Sequence, residues 1–314
     1  MLAVVIPSYR VKSQILGVLS AIGPEVQKVY VVDDACPEQS GRHVVQHCSD
    51  PRVEVLTHAA NLGVGGATLT GFRKAAADGA AIVVKLDGDG QMNPSAIAKL
   101  VRPLQEGFAD YAKGNRFFSP EFLSGMPLLR LVGNSALSFI TKISSGYWRV
   151  MDPTNGFLAL RTDVLPLLPL EKIDQSFFFE SDLLFRLNTV RAVVVDVPIP
   201  AHYGEEKSNL RVWRVLFPFF FKHLSRFFKR VFYGYFLRDF NLGSLQLISG
   251  LAFTAFGVGF GAWVWWVNSH EGRLSPVGTV MLAALPVIIG IQLLLSAVQY
   301  DISNEPRTPL HKLV

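Results

Sequence analysis

Residues 81–94 read AIVVKLDGDGQMNP, a short apolar run that ends in a pair of aspartates. The apolar part, residues 81–86, is rich in β-branched residues, and this pattern predicts a buried strand of a parallel sheet. Asp87 and Asp89 follow two positions apart, so both carboxylates leave extended backbone on the same side. Such a pair, with glycines that allow close approach, suits Mg²⁺ or Mn²⁺ holding a diphosphate. A polar Asp-Gly turn is the competing interpretation.

Three further apolar segments alternate with stretches long enough for helices, at residues 2–7, 28–32 and 53–57. This alternation predicts a doubly wound α/β sheet, in which ligands bind beyond the carboxyl ends of the strands. Polar residues follow each predicted strand, and we expect them to line one crevice. They are Ser8, Tyr9, Asp33, Asp34, Asn61, Asp87 and Asp89.

The second predicted strand ends in Asp33 and Asp34, and the glycine-rich segment NLGVGGA begins at Asn61. The two aspartates can cap the following helix or accept hydrogen bonds from a nucleobase or ribose. The glycine-rich segment opens a predicted helix, whose first N–H groups can bind phosphate. It lacks the Lys-Ser/Thr of a P-loop and the full GxGxxG spacing, so this pattern alone is a weak indication of phosphate binding.

The composition favours a protein that lies partly in a membrane. Half of the 314 residues are hydrophobic and 18% are charged, which is too apolar for a purely soluble enzyme. The N-terminal MLAVVIPSYR lacks the features of a signal peptide and predicts the first strand of a cytosolic domain. Cys36 and Cys48 lack CxxC spacing and are interpreted as ordinary thiols. The net charge of +5 is concentrated beside the apolar C-terminal region, which favours membrane phosphate over nucleic acid as a partner.

Six motifs follow one another along the first 240 residues: VVDDACPEQSG, NLGVGGATLTGF, KLDGDGQMNP, KGNRFF, DPTNGFLALR and FFFESDLLFRL. The ordered set resembles the inverting family 2 glycosyltransferases of GT-A fold, above all the dolichyl-phosphate mannose synthases and bacterial polyprenyl-phosphate glycosyltransferases. This resemblance implies that Asp33 and Asp34 help to hold the nucleotide and that Asp87 and Asp89 are the DxD motif for metal and diphosphate. Residues 7–10, PSYR, depart from the family's usual Pro-Thr-Tyr-Asn-Glu, which leaves open which groups there touch the base.

The resemblance also implies an acceptor side of the site. Asp152 in MDPTNGF matches an aspartate that orients or deprotonates the attacking group, and a turn before Pro153 is the alternative. Arg116 in KGNRFF and Arg130 match basic residues that meet a lipid phosphate, and solvated surface arginines are the alternative. The expected catalytic residues are therefore Asp89, Asp152, Arg116 and Arg130.

The expected donor-binding residues come from several motifs. Glu180 in FFFESDLLFRL matches a region near the donor sugar or the acceptor, although an acid there also suits a helix start. Lys207 corresponds loosely to a Glu-Ser-Lys-Leu turn of the resembled family. The full expected set is Pro7, Tyr9, Asp33, Asp34, Asn61, Asp87, Gln91, Glu180 and Lys207.

The C-terminal third has the composition of membrane-associated helices. Residues 211–238 place basic side chains among phenylalanines at near-helical spacing, namely Lys222, Arg226, Lys229 and Arg230. This pattern predicts an amphipathic helix whose basic residues face lipid headgroups, and a helix buried under the domain is the alternative. Residues 242–267 and 274–300 carry no charge, and each exceeds the roughly 20 residues that a membrane span requires.

These segments predict four regions. They are a GT-A domain (1–204), an amphipathic juxtamembrane segment (205–240), a two-helix transmembrane hairpin (241–300) and a tail (301–314). Lys and Arg are concentrated before the first span and after the second. The positive-inside rule therefore predicts a multi-pass membrane protein with the catalytic domain and both termini in the cytoplasm. Homo-oligomerisation is left open by the sequence.

The combined features predict a membrane-anchored inverting glycosyltransferase. It would move a hexose from a nucleotide sugar, of GDP-mannose or UDP-glucose type, to a polyprenyl phosphate such as dolichyl or undecaprenyl phosphate. A processive polysaccharide synthase is one alternative, but its Gln-x-x-Arg-Trp signature is absent from the sequence. A non-catalytic membrane scaffold that binds sugar nucleotides is another, and the presence of both DxD aspartates and Asp152 argues against it.

Overall fold

A computed structural model describes residues 1–119, 121, 128–200 and 212–313. The chain divides into two compact units, a larger one of Met1–Arg230 with Pro306–Val314 and a smaller one of Val231–Glu305. Lys207 and the side chain of Arg130 lie outside the described part of the chain.

The larger unit is built on a mixed sheet, for which the described residues supply seven strands in the order β3-β2-β1-β4-β6-β5-β7. The strands are β1 Leu2–Ser8, β2 Lys28–Asp33, β3 Val53–Thr57, β4 Ile82–Lys85, β5 Tyr111–Asn115, β6 Leu158–Arg161 and β7 Val194–Pro198. The first four pair in parallel, and β6 runs antiparallel between β4 and β5. The four strands predicted from the sequence are confirmed to within one residue at each end, and the doubly wound α/β fold is confirmed with them.

Two apolar cores cover the two faces of this sheet. In β1, Val4 and Ile6 face one core while Val5 faces the other, since side chains alternate along a strand. Helices pack on both faces and explain why the parallel strands are continuously apolar in sequence. In chain order the helices are α1 Ile15–Ser20, α2 Ser40–His47, α3 Gly63–Ala77, α4 Ile97–Gln105, α5 Leu128–Ser145, α6 Phe179–Thr189, α7 Val212–Phe232, α8 Leu242–Glu271 and α9 Val277–Ser303.

The strand directions bring the motifs to one edge of the sheet. The strands β1, β2 and β4 end at this edge, and β5 also ends there because it runs antiparallel to β6, which is itself antiparallel to β4. Strand β6 begins at this edge, because it is antiparallel to β4. The loop that precedes β6 and carries Asp152 therefore lies at the same edge. The DxD turn, Arg116 and Asp152 therefore lie together, although 65 residues separate Asp87 from Asp152 in the sequence.

Helix α7 confirms the predicted amphipathic helix, but its two faces have the opposite roles to those expected. Lys222 pairs with Asp174, and Arg226 pairs with Asp182, which is fully buried. Arg230 is buried as well and donates to the carbonyl of Ile143 at 2.9 Å. The expectation that these three residues face lipid headgroups is wrong, because desolvated carboxylates and carbonyls of the larger unit need them as partners.

The opposite face of α7 carries exposed phenylalanines. Phe217, Phe221 and Phe228 are 67%, 63% and 61% exposed. Lys229 is exposed as well. Among the described side chains, it is the one residue of the four predicted basic residues that faces away from the larger unit. The helix is therefore amphipathic with an aromatic outer face.

The smaller unit is a hairpin of two long apolar helices, α8 and α9. Mean hydropathy in their most apolar windows is 1.7 and 2.3, and 11% of each window is buried. Both helices are long and apolar enough to cross a membrane, in agreement with the two predicted spans. Gly257 approaches Val287, and Gly290 approaches Thr254, so closely that a side chain would collide at each position. Small residues at these crossings allow the close packing that is typical of membrane helices.

The segment after α9 returns to the larger unit. The backbone N–H of Leu310 donates to both carboxylate oxygens of Asp110, at 2.9 and 3.0 Å. Asp110 is fully buried and also accepts the N–H of Val193 at 2.7 Å. The chain up to Arg230 and the chain from Pro306 onward therefore belong to the same compact unit.

Candidate active site

Asp33 and Asp34, at the end of β2, have carboxylates that are bonded to backbone N–H groups. Asp33 accepts from Cys36 at 2.7 Å and from Gly41, in the first turn of α2, at 2.6 Å. Asp34 accepts from Leu62 and Gly63 at 2.8 Å each. Asp33 thus fixes the start of α2, the following helix, as one of the two sequence interpretations proposed, whereas Asp34 fixes the start of the later helix α3. Contact of either residue with a nucleotide stays a prediction.

The glycine-rich segment at the start of α3 is packed against another loop. The N–H groups of Gly65 and Gly66 donate to the carbonyl of Gln175 at 2.9 and 3.1 Å. Gly63 has φ +88, and a side chain there would lie 2.5 Å from the same carbonyl oxygen. These glycines allow close backbone packing, and the N–H groups that a phosphate would need already have partners. Asn61 is exposed and bonds the carbonyl of Asp34 at 3.1 Å.

The expected base-binding end of the crevice combines an exposed aromatic ring with strained backbone. Tyr9 is 43% exposed, and the guanidinium carbon of Arg10 lies 5.4 Å from its ring centre. Arg10, Ala35 and Gln39 have φ of 59°, 51° and 56°, which costs non-glycine residues about 1 to 3 kcal/mol each. The N–H of Arg10 donates to Cys36 Sγ at 3.0 Å and links the ends of β1 and β2. Pro7 is half-buried within β1.

The DxD turn begins directly after β4. Asp89 accepts the N–H of Gln91 at 3.0 Å, and both residues are partly exposed, as is Asp87. Gly88 is buried, and a side chain at this position would touch Val11, Ile15 and Ile6. Gly90 turns the chain with φ +78. The glycines therefore hold the turn against the core while the two carboxylates stay accessible.

Lys85 is a fully buried lysine that sequence reasoning did not single out. Its Nζ lies 2.6 Å from Asp87 Oδ1, 3.3 Å from Glu180 Oε1 and 3.4 Å from the carbonyl of Gly156. Burial by itself lowers the pKa of Lys85, but the neighbouring carboxylates outweigh it and raise the pKa to about 12. Lys85 is therefore charged, and it joins the DxD turn to Glu180 at the start of α6. The feature of the sequence that could have identified Lys85 is a lysine inside an otherwise apolar strand.

Lys113 lies in the same row of the sheet as Lys85. Strand register aligns Lys85, Leu158, Lys113 and Asp196 across four neighbouring strands. Lys113 is fully buried, and its Nζ has no hydrogen-bond partner within the described ranges. Burial lowers its pKa to about 8, which the charges of Glu180 and other nearby carboxylates offset only in part. This second lysine within a strand was also missed from the sequence.

Arg116 and Asp152, both predicted from the sequence, form a direct ion pair. Arg116 Nε and Nη2 lie 2.6 and 2.9 Å from the two oxygens of Asp152, and the N–H of Arg116 donates to Oδ2 at 3.2 Å. Asp152 is fully buried. Both carboxylate oxygens are engaged by the guanidinium, so the ion pair holds Arg116 in one orientation.

The loop after Asp152 packs directly on the DxD turn. A side chain at Gly156 would lie 2.4 Å from Asp87 Oδ2 and 2.5 Å from Lys85 Nζ, so a larger residue there would displace these two side chains. Asn155 Nδ2 donates to the carbonyl of Gly114 at 2.7 Å and ties this loop to β5. The expected acceptor side and the expected metal side of the crevice are therefore in contact.

Asp196 supports the acceptor side from β7 and was not predicted. Its Oδ2 accepts from Asn115 Nδ2 at 2.9 Å and from the N–H of Met151 at 2.8 Å. Burial raises the pKa of Asp196 to about 6. The carboxyl thus holds the segments that carry Arg116 and Asp152.

Asp87 and Asp89 fit a hard divalent cation, because they offer accessible carboxylate oxygens on one turn. Within residues 1–119, 121, 128–200 and 212–313, no three His, Cys, Asp or Glu side chains converge as a metal cluster. A cation here would depend on ligands from water and from a substrate, as Mg²⁺ commonly does at phosphate sites.

The larger unit has the GT-A fold of glycosyltransferases. Glucosyl-3-phosphoglycerate synthase from Mycobacterium tuberculosis, solved with Mn²⁺, UDP and glucosyl-3-phosphoglycerate, shares the fold with a TM-score of 0.51. The likeness covers 73% of this chain and 79% of that one at 18% identity. The same enzyme solved with Mg²⁺ and UDP gives a TM-score of 0.52 at 19% identity, with the same coverage of each chain.

The sequence profile described as Glycosyl transferase family 2 matches residues 3–167, which is more than half of the chain, and the chain belongs to that family. Undecaprenyl-phosphate mannosyltransferase of Micrococcus luteus is 31% identical over 213 residues, covering 65% of this chain and 86% of that protein. UDP-N-acetylglucosamine--dolichyl-phosphate N-acetylglucosaminyltransferase of Methanococcus voltae is 36% identical over 154 residues. That match covers 49% of this chain and spans 61% of the length of the relative.

Proposed function

We propose that this glycosyltransferase moves a hexose from a nucleotide sugar to a polyprenyl phosphate with inversion at the anomeric carbon. The observation that carries the proposal is the ion pair of Arg116 and Asp152 beside the DxD turn. A hydroxyl acceptor needs a base to remove its proton, whereas a phosphate acceptor is already an anion. A guanidinium held by a buried carboxylate is suited to bind that anion. The names of two relatives, which act on undecaprenyl phosphate and dolichyl phosphate, support the same acceptor class.

The donor would lie in the crevice formed by the ends of β1, β2 and β4. Tyr9 offers an exposed ring for a nucleobase, and Asp33 and Asp34 shape the loops around the ribose. Asp87 and Asp89 would hold a divalent cation, which offsets the charge that grows on the leaving diphosphate. The donor is expected to be of GDP-mannose or UDP-glucose type.

In the transfer step, an oxygen of the acceptor phosphate forms a bond to the anomeric carbon while the bond from that carbon to the diphosphate breaks. Arg116 holds the acceptor phosphate in line with the leaving group, and Asp152 fixes the orientation of Arg116. Arg130 would supply a second cation for this phosphate. Attack from the face opposite the diphosphate inverts the configuration.

The lipid chain of the acceptor explains the C-terminal architecture. We place α8 and α9 across the bilayer and the phenylalanine face of α7 at its interface, since an exposed aromatic face is stable in contact with lipid. The Pro306–Val314 segment belongs to the same unit as Met1–Arg230, which supports a hairpin with both ends on one side. The distribution of Lys and Arg supports the cytoplasm as that side.

The test uses the full chain in detergent micelles or nanodiscs with a panel of labelled nucleotide sugars. Each donor is offered with undecaprenyl phosphate, dolichyl phosphate or the matching polyprenol, which lacks the phosphate. We expect one sugar to be transferred to a polyprenyl phosphate and none to the polyprenol. Transfer only to hydroxyl acceptors would refute the proposal. A product with many sugars would favour a processive synthase, and donor binding without turnover would favour a scaffold.

A further inference from the structure

The ammonium of Lys85 joins three parts of the site. Its Nζ lies near three oxygens, which are Asp87 Oδ1 at 2.6 Å, Glu180 Oε1 at 3.3 Å and the carbonyl of Gly156 at 3.4 Å, and an ammonium has three protons to donate. The contact with Asp87 is the shortest of the three. One of the two DxD carboxylates is therefore already neutralised by a cation of the protein itself.

We propose that Lys85 is an internal counterion that occupies Asp87 and competes with the divalent cation for this carboxylate. The inference rests on the proposed metal site at Asp87 and Asp89. An ammonium 2.6 Å from a ligand oxygen repels a second cation that binds the same carboxylate. The repulsion is strong here because Lys85 is fully buried and little water screens it.

Glu180 gives the ammonium an alternative partner. Its carboxylate is nearly buried and lies 3.3 Å from Nζ, so Lys85 can shift toward it without entering water. Gly156 puts no side chain against the ammonium, since a Cβ at that position would lie 2.5 Å from Nζ. Lys85 thus keeps two acceptors when Asp87 turns toward a metal.

The expected consequence is that metal and nucleotide bind together. With Lys85 in place, the turn presents only part of the negative charge of Asp87 and Asp89 to a cation, so the cation alone is held weakly. A nucleoside diphosphate brings both negative charge and oxygen ligands, and it completes the coordination shell. Lys85 is therefore a positioning residue that makes metal binding depend on the donor.

The experiment measures Mn²⁺ binding to the full chain in detergent by electron paramagnetic resonance, without nucleotide and with UDP or GDP. Lys85→Met removes the charge and keeps most of the side-chain volume. We expect this variant to bind Mn²⁺ on the order of tenfold more tightly than the wild type without nucleotide, and to gain less from UDP or GDP. Equal or weaker binding of Mn²⁺ alone by a folded Lys85→Met variant would overturn the inference.

A second variant should change the affinity for Mn²⁺ in the opposite direction. Glu180→Gln removes the charge of the alternative partner and leaves only a neutral acceptor, so Lys85 should hold Asp87 more firmly and Mn²⁺ binding without nucleotide should weaken. If Lys85→Met fails to fold, Glu180→Gln still tests the inference. Unchanged or tighter Mn²⁺ binding by Glu180→Gln would then overturn it. Lys74→Met is the matched control, because Lys74 pairs with Asp78 on the surface, and its Mn²⁺ binding should equal that of the wild type.

One further variant separates failure of this inference from failure of the metal site. Asp89→Asn should abolish Mn²⁺ binding whatever the role of Lys85. Intact Mn²⁺ binding by Asp89→Asn would refute the metal site in the proposed function, and the inference about Lys85 with it. Loss of binding in Asp89→Asn with no effect of Lys85→Met would refute the inference alone.

Discussion

Arg116 and Asp152 form an ion pair in which two guanidinium nitrogens meet both carboxylate oxygens, at 2.6 and 2.9 Å. The two residues are 36 positions apart in the chain, and Asp152 is fully buried. This geometry fixes the guanidinium at the crevice and engages both oxygens of the only aspartate in the DPTNGF motif. It therefore favours an acceptor that arrives as an anion.

Arg116→Ala should weaken binding of the acceptor more than binding of the donor. Loss of a charge-assisted contact costs about 1.5 to 3 kcal/mol, so the KM for polyprenyl phosphate should rise roughly 10- to 100-fold. Arg116→Lys keeps the charge without the two-pronged geometry and should show an intermediate effect. Steady-state kinetics with each substrate varied in turn provides the measurement. Arg161→Ala is the control, since Arg161 pairs with the exposed Asp163. Equal rises in both KM values would place Arg116 in the donor site or in the fold.

Asp89→Ala should abolish transfer and leave the protein folded. Its carboxylate is accessible and lies on the turn after β4, so the core does not depend on it. Excess chelator should have the same effect on the wild type, with recovery on addition of Mg²⁺ or Mn²⁺. Transfer assays and thermal unfolding by circular dichroism measure the two properties. Full activity in the variant or in chelator would contradict the metal assignment, and Asp163→Ala serves as the surface control.

Asp196→Asn should change how stability depends on pH. The folded-state pKa of Asp196 is raised from 3.8 to about 6, so the folded protein binds the proton more tightly than the unfolded chain does. Wild-type stability therefore falls as pH rises through this interval, by about 3 kcal/mol at most. Asparagine keeps an acceptor for Asn115 and Met151 but carries no charge. The Tm of the variant relative to the wild type should increase between pH 4 and pH 7, and a constant difference would show that Asp196 is not responsible.

The two faces of α7 should respond differently to substitution. Arg226→Glu removes one of the two arginines that pair with the buried Asp182, leaves Arg186 as the other, and adds a like charge, so the free energy of unfolding should drop by about 1.5 to 3 kcal/mol. Replacement of Phe221 and Phe228 by Ser should leave Tm nearly unchanged, because both rings are exposed. The double variant should use long-chain polyprenyl phosphate in vesicles poorly but a short water-soluble analogue normally. Normal use of both acceptors would refute the interfacial role of this face.

Removal of residues 306–314 should destabilise the larger unit. Asp110 would lose the N–H of Leu310, which now bonds both of its oxygens, and would be left with unsatisfied buried lone pairs. The expected cost is about 1 to 3 kcal/mol. Thermal unfolding of the truncated chain and of a Lys312→Ala control, compared in the same detergent, measures it. An unchanged Tm after truncation would show that the tail contributes no stability.

The sequence by itself determined the first four strands, the DxD turn and the two long apolar helices. Each of these leaves a local pattern, because a strand buried on both faces must be apolar throughout and a membrane helix must be apolar for about 20 residues. Arg116 and Asp152 were also found from the sequence, through motifs of the family. Their direct contact was not foreseen, since nothing in either motif specifies a partner 36 residues away.

The tertiary structure alone decided what the charged groups do. Lys85 and Lys113 appear in the sequence as single lysines within apolar strands, and only the strand register and the position of α6 bring them to Glu180. The basic residues of α7 could not be placed from the sequence for a similar reason. An amphipathic sequence predicts a helix with two faces, but it does not indicate which face packs against the rest of the protein. Arg226 meets Asp182 from 44 positions away, and Leu310 meets Asp110 from 200. Such pairs form because a desolvated charge must find a partner in the folded chain, and no periodicity along the sequence records that requirement.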